Sequence, residues 1–209
     1  MSKFTDFLKN NKSDIFKPII VLLAICIVIP LALSLTNELT ADRIAKLAAE
    51  NEKATMSQLI EAETFDKHTF TSTSKEEKFD FYIAKSQDEV KGYIFVTSAK
   101  GYGGEVSVMT AIGTDGKVKE ISILDAANET PGLGQNVTKE NFYSQFKNKV
   151  KGVTVVKNGA DSANNEVNAV TGATISSRAV TTAVNEALEN FSEYSNAVFK
   201  DTEVETNEK

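Results

Sequence analysis

Residues 19–35 read IIVLLAICIVIPLALSL and carry no charged side chain. With Pro18, Thr36 and Asn37 the uncharged stretch reaches about 20 residues, enough to cross the hydrocarbon core of a bilayer as a helix. In hydrocarbon a segment has to satisfy its own backbone groups, so a helix is the conformation open to a single run of this kind, and Pro30 is tolerated within it. Lys3, Lys9, Lys12 and Lys17 precede the run; Arg43 and Lys46 follow it. That excess of lysine predicts a cytoplasmic N-terminus, with the remainder of the chain on the far side of the membrane. A cleaved signal peptide shares the basic start and apolar centre, and Ala32-Leu33-Ser34 offers a loose cleavage site for it. A lipoprotein site at Cys26 is disfavoured by bulky Ile25, which leaves Cys26 as a small apolar residue of a membrane helix.

Composition narrows what the rest can do. The chain has 209 residues, a net charge of -6 and 41% hydrophobic residues, which suits one compact domain plus an appendage. An acidic chain without a basic block predicts no nucleic-acid partner. One Cys, one His and no Trp are too few for a zinc, haem or iron–sulfur site, so no metal site is expected. Cys26 and His68 lie in different environments and do not suggest a nucleophilic pair. Redox chemistry, if present, needs a cofactor from outside the chain.

Residues 38–63 have helical composition, with Leu39, Ile44, Leu47, Ala48, Leu59 and Ile60 on a broken apolar stripe. Residues 64–78 are polar and read as a loop, with His68 a solvated surface histidine. From residue 79 the period changes to two: FDFYIAK and VKGYIFVTSA read as strands. Residues 105–124 read as a hairpin turning at Asp115-Gly116. A glycine-rich loop, NETPGLGQNV, follows. Residues 140–150 are expected as a short helix, 152–157 as a strand and 158–169 as a polar loop. Ala179/Val180, Ala183/Val184, Ala187/Leu188 and Phe191 recur at helical spacing and predict a helix over 175–191. The acidic tail from Ser192 lacks a sustained apolar pattern and is expected to fray.

The mouth of that helix, VTGATISSR at 170–178, is crowded with hydroxyls and small residues. A helix start offers unpaired N–H groups and the positive end of the helix dipole, which favour a phosphate. Gly172 and Ala173 would let backbone come close to it, and Thr171, Thr174, Ser176 and Ser177 add hydroxyls. The same residues could equally be an ordinary helix cap. Arg178 could pair with a phosphate or simply face solvent.

TGATISSRAV resembles the flavinylation motif, [ST]-G-A-T, of the FMN-binding domain family. GYGGEV at 101–106 and ETPGLG at 129–134 resemble two further segments of that family, in the expected order, so that 101–191 is covered closely. With its single N-terminal span the chain is similar to the G-subunit branch found in Rnf-type electron-transport complexes. The C-subunit branch of sodium-pumping NADH:quinone reductases, which is usually longer, ranks second. The resemblance implies covalent FMN, joined by a phosphoester to Thr174, with Thr171, Gly172 and Ala173 around the attachment point. It further implies flavin contacts from Tyr102, Gly103, Gly104, Glu129, Thr130, Gly132 and Leu133, and no catalytic residue in the chain itself. The implied partners are the other subunits of a membrane electron-transport complex and, for maturation, a flavin transferase that moves FMN from FAD with a divalent metal ion. Many such motifs carry Asp three residues before the first Ser/Thr; here Asn168 keeps the shape and loses the charge.

The expected fold is α+β: one transmembrane helix, then an FMN-binding domain with a mostly antiparallel twisted sheet and packed helices. The expected divisions are a cytoplasmic N-terminus (1–18), the transmembrane helix (19–37), a helical juxtamembrane region and linker (38–78), the FMN-binding domain (79–191) and the acidic tail (192–209). Two other functions fit the sequence. One is the same covalent flavin serving another chain, such as extracellular respiration. The other is a non-redox binding module whose TGAT is a cap.

Overall fold

A computed structural model describes residues 12–72 and 78–207; Lys3, Lys9, residues 73–77 and Glu208 lie outside the described residues. The chain divides into two compact units between Asn51 and Glu52. The N-terminal unit is helical. Helix α1, Lys12–Leu59, runs unbroken through Pro18 and Pro30. Phe16–Ile44 is long and apolar enough to cross a membrane; an 18-residue window within it has a mean hydropathy of 2.9, and none of that window is buried in protein. Thr36 and Thr40 return their hydroxyls to the carbonyls of Ala32 and Thr36, so the polar side chains at the end of the apolar run are satisfied inside the helix.

The second unit is built on a five-stranded antiparallel meander: β1 (Thr64–Thr71), β2 (Lys78–Ser86), β3 (Glu89–Lys100), β4 (Glu105–Ile112) and β5 (Val118–Asp125), in that spatial order. Both faces of the central strands are covered. On one lie Phe81, Phe95, Val106, Val108 and Ile112, packed beneath Ala179, Val180, Ala183, Val184, Ala187 and Leu188 of helix α3 (Thr174–Asn207). The other face, with Ala84, Ile94, Met109 and Ala111, is closed by Met56 and Leu59 from the end of α1 and by Ile60 just after it. The alanines bring α3 close enough for Thr97 Oγ1 to donate to the Ala183 carbonyl at 2.8 Å. Between β5 and α3 lie a short helix α2 (Glu140–Tyr143) and a parallel strand pair, β6 (Thr154–Val156) and β7 (Glu166–Asn168).

The α+β fold and the hairpin with its Gly116 turn (φ +75°) agree with the sequence reading. Four local expectations are corrected. Residues 64–71 form strand β1 rather than a loop. Ion pairs Lys67–Asp80 and Lys85–Asp66, with Thr69 donating to Asp80, take the place of the apolar alternation that marks a strand. The helix expected over 140–150 ends early. Its last residues are captured by the sheet edge instead, Asn148 N–H donating to the Val118 carbonyl and Val118 N–H to Lys149. The polar stretch 158–169 contributes β7, whose pairing with β6 is non-local. Finally, α3 continues to Asn207 rather than fraying after Phe191. Tyr194 packs on Phe81 (ring centroids 4.6 Å), Phe70 and Tyr93, and Ser72 donates to Glu193.

Candidate functional site

Three loops meet at the first turn of α3. In the first, Gly101 N–H donates to the Gly104 carbonyl (2.7 Å), folding 101–104 into a tight turn. Side chains are barred there by protein: a Cβ on Gly103 would collide with the Asn128 carbonyl, and one on Gly104 would lie 2.8 Å from Asn128 Cβ. The turn leaves Tyr102 outside, 72% exposed. In the second loop Thr130-Pro131-Gly132-Leu133 has the signature of a type II turn. Proline sits at the second position, Gly132 at the third has φ +75°, and Leu133 N–H donates to the Thr130 carbonyl (3.1 Å). That geometry pushes Leu133 outward, 47% exposed.

The third loop leads into the helix. Gly172 has φ +77°, and a Cβ there would meet Leu133 Cδ2 at 3.2 Å. Ser177 pins the turn from beneath, its hydroxyl donating to the Ala173 carbonyl and accepting from Val170 N–H, both at 2.9 Å. Among the described residues no acceptor meets the N–H groups of Thr174, Ile175 or Ser176, and the Thr174 hydroxyl has no hydrogen-bond partner. A capping threonine bonds the backbone of its own first turn; Thr174 does not.

Tyr102, Thr130, Leu133, Gly134, Gly172, Ala173, Thr174, Ile175 and Ser176 enclose a cleft of about 510 Å3. That lies within the roughly 300–1,000 Å3 common for small-molecule sites. Three large apolar side chains around it, Tyr102, Leu133 and Ile175 (51% exposed), are turned to solvent when they could have been buried. Apolar walls, an unpaired hydroxyl and free N–H groups at a helix start together suit a flat aromatic ring system carrying a phosphate. FMN fits that description.

The cleft brings together Tyr102, Thr130, Leu133, Gly172, Ala173 and Thr174 of the residues expected from sequence. It does not include Thr171, Gly132, Gly103, Gly104 or Glu129. Thr171 lines a separate polar cavity with Asn136, Lys139 and Asn168. At Gly103 and Gly104, two of the flavin contacts that the resemblance implies, an added Cβ would meet Asn128. Glu129, another expected flavin contact, lies behind the cleft wall. It is 1% exposed, and its carboxylate accepts from Ser176 Oγ (2.5 Å) and Gly103 N–H (3.0 Å). Burial pushes this carboxyl up, but hydrogen bonds from Ser176 and from the N–H groups of Gly103, Gly104 and Tyr102 outweigh it, and the net shift is below the usual carboxylate range.

Sequence reasoning missed Gly134 and Ile175 as cleft residues, and named Ser176 only as one of several hydroxyls at the helix mouth. Ser176 did carry a signal. It falls on the stripe of Val180, Ala183 and Ala187, so its hydroxyl had to point inward and find a partner. Asn168, the departure from the usual motif, uses both ends of its amide: Oδ1 accepts from Ala160 N–H (2.9 Å) and Nδ2 faces Gln145 Oε1 (3.4 Å). Arg178 is exposed and does not line the cleft.

The fold and the cleft define a class: an α+β domain with an apolar cleft at a helix start, in a chain whose N-terminal helix is long and apolar enough to cross a membrane. Residues 101–189 match the family model described as FMN-binding domain. The chain is 36% identical to the G subunit of the Na(+)-translocating ferredoxin:NAD(+) oxidoreductase complex of Acetobacterium woodii over 189 residues, which cover 84% of this chain and 90% of that protein. It is 44% identical to the G subunit of the proton-translocating ferredoxin:NAD(+) oxidoreductase complex of Clostridium ljungdahlii over 113 residues, 54% of this chain and 60% of that one. In fold it resembles the crystal structure of the C subunit of Na(+)-translocating NADH-quinone reductase from Parabacteroides distasonis, with a TM-score of 0.54 at 19% identity over 69% of this chain and 82% of that one. The chain belongs to the G-subunit family of ion-translocating oxidoreductase complexes.

Proposed function

We propose that this chain is the FMN-carrying electron-transfer subunit of a membrane ferredoxin:NAD+ oxidoreductase complex coupled to Na+ or H+ movement, with FMN held by a phosphoester to Thr174. The observation that carries the reading is the Thr174 hydroxyl. It stands unpartnered at a helix start on the wall of an apolar cleft, within T-G-A-T. Thr174 is the acceptor in maturation. Its hydroxyl loses a proton and gains the FMN phosphoryl group from FAD, AMP leaving, in a reaction run by a separate flavin transferase with a divalent metal ion.

Bound FMN supplies one-electron transfer chemistry, which no side chain here can supply. The chain contributes attachment, orientation and electrostatics. The free N–H groups of residues 174–176 and the helix dipole hold the negative charge of a phosphodiester. Tyr102, Leu133 and Ile175 exclude water from the cleft and offer flat apolar contact. A covalent link keeps the cofactor from being lost outside the cytoplasm, where the lysines preceding the span would place this domain. Sites for ferredoxin and NAD belong to other subunits.

The test is intact-protein mass with in-gel flavin fluorescence after denaturation, on full-length chain co-expressed with a flavin transferase, beside Thr174→Ala. The expected result is a gain of about 438 Da, FMN less water, that vanishes in the variant. No gain in the wild type, with a control substrate modified in parallel, would sink the covalent assignment.

A further inference from the structure

Glu129 is the most deeply buried carboxylate among the described residues, and attachment at Thr174 makes no direct use of it. Its two oxygens face different parts of the site. Oε1 accepts from Gly103 N–H at 3.0 Å and crowds the space beside Gly101, where a Cβ would collide with it. Oε2 accepts from Ser176 Oγ at 2.5 Å and lies 2.5 Å from where a Gly134 Cβ would stand. Ser176 and Gly134 are both walls of the cleft. One carboxylate thus touches all three glycine-rich motifs, which lie far apart in the chain.

We propose that Glu129 is the positioning residue of this site: it ties the 101–104 turn and Gly134 to the first turn of α3, so that Tyr102, Leu133 and Thr174 face one space. The glycines at 101 and 134 are explained by the same clasp, since each leaves room for one carboxylate oxygen. A second consequence is electrostatic. A fixed negative charge lies one residue behind the cleft wall, in a place where water cannot screen it. That part rests on the cleft being the FMN site; the mechanical part does not.

The experiment uses full-length wild type, Glu129→Gln, Glu129→Ala and Ser176→Ala in detergent, before and after treatment with a flavin transferase and FAD. Before flavin, amide hydrogen exchange is read over 101–104 and 172–176. Ser176→Ala, although it sits on α3, is expected to speed exchange in the 101–104 turn, and Glu129→Ala to speed it in both segments. With flavin, the rate of mass gain per folded molecule is expected to fall about tenfold or more in Glu129→Ala, a displacement effect on Thr174. Isosteric Glu129→Gln should recover most of that rate. Loaded Glu129→Gln should have a more positive flavin midpoint potential than wild type, because reduction no longer proceeds against the buried charge; a purely mechanical role would leave it unmoved. Unchanged exchange at 101–104 in Ser176→Ala overturns the clasp, and does so whether or not any variant takes up flavin or Glu129→Ala folds. An unmoved potential overturns the electrostatic part. A wild type that gains no mass overturns the FMN assignment instead and leaves the exchange result to decide the clasp.

Discussion

The first turn of α3 and the turns that follow it are built in opposite ways. From Ala179 to Leu188 the helix faces the sheet with small apolar residues, buried on Phe95, Val106 and Val108, and Thr97 finds the Ala183 carbonyl. In the first turn three N–H groups and the Thr174 hydroxyl lack acceptors among the described residues, and Ile175 lies half in solvent. Burial is what separates the two. A polar group left unpaired inside protein costs free energy, whereas one at the rim of a cleft is hydrated until a ligand arrives. The same helix can therefore anchor the domain at its middle and keep binding capacity at its end.

Substitutions at the two places should separate cleanly. Thr174→Ala is expected to abolish the flavin mass gain while leaving thermal stability within about 0.5 kcal/mol of wild type, as for a surface change that breaks no contact. A large loss of stability would mean that Thr174 is a structural residue after all. Leu188→Ala should do the reverse, costing roughly 2–5 kcal/mol in chemical denaturation by opening a cavity against the sheet. Its folded fraction should still accept flavin at Thr174.

Acid should reach the first turn before it reaches the middle. Because the folded chain holds the Glu129 carboxyl below its ordinary range, the unfolded chain takes up the proton more readily. The stability it contributes is complete above the ordinary glutamate value and is lost as pH falls below that value towards the folded one. Unfolding of the flavin-free chain measured against pH should show this acid limb, and Glu129→Gln should flatten it. A limb of the same depth in both would assign it to other carboxylates. The smallest effect is expected in the core. Thr110 is fully buried on β4 and its hydroxyl is unpartnered among the described residues. Thr110→Val keeps the shape and removes that hydroxyl, and should raise stability by about 1 kcal/mol in denaturant melts. A decrease would mean that the hydroxyl has a bonding partner, such as water.

Much of the site was legible as residues, and far less of it as roles. T-G-A-T, GYGGEV and ETPGLG could be picked out by their resemblance, in order, to motifs of the FMN-binding domain family, whereas residue chemistry alone left T-G-A-T open as a helix cap. Which of those residues face the ligand could not be read. Whether Glu129 points into the cleft or behind it depends on where Gly103 and Ser176 lie, 26 residues before it and 47 after it. Strand β1 was illegible for a related reason. Its partners are charged side chains on β2, so the alternation that marks a half-buried strand is missing. Tyr194 looked like part of a frayed tail because the rings that receive it, Phe70, Phe81 and Tyr93, come from three different strands.

The sequence by itself determined what local physics controls. An uncharged run has to become a helix that satisfies its own backbone, Pro131-Gly132 makes a turn, and an Ala/Val stripe makes a helix that lies close on a sheet. The tertiary structure decided what depends on residues distant in the chain: the β6–β7 pairing, the packing of the last turns of α3, and the inward aim of Glu129. Each of these is a partnership between groups brought together only by folding, and no spacing along one strand or helix encodes it.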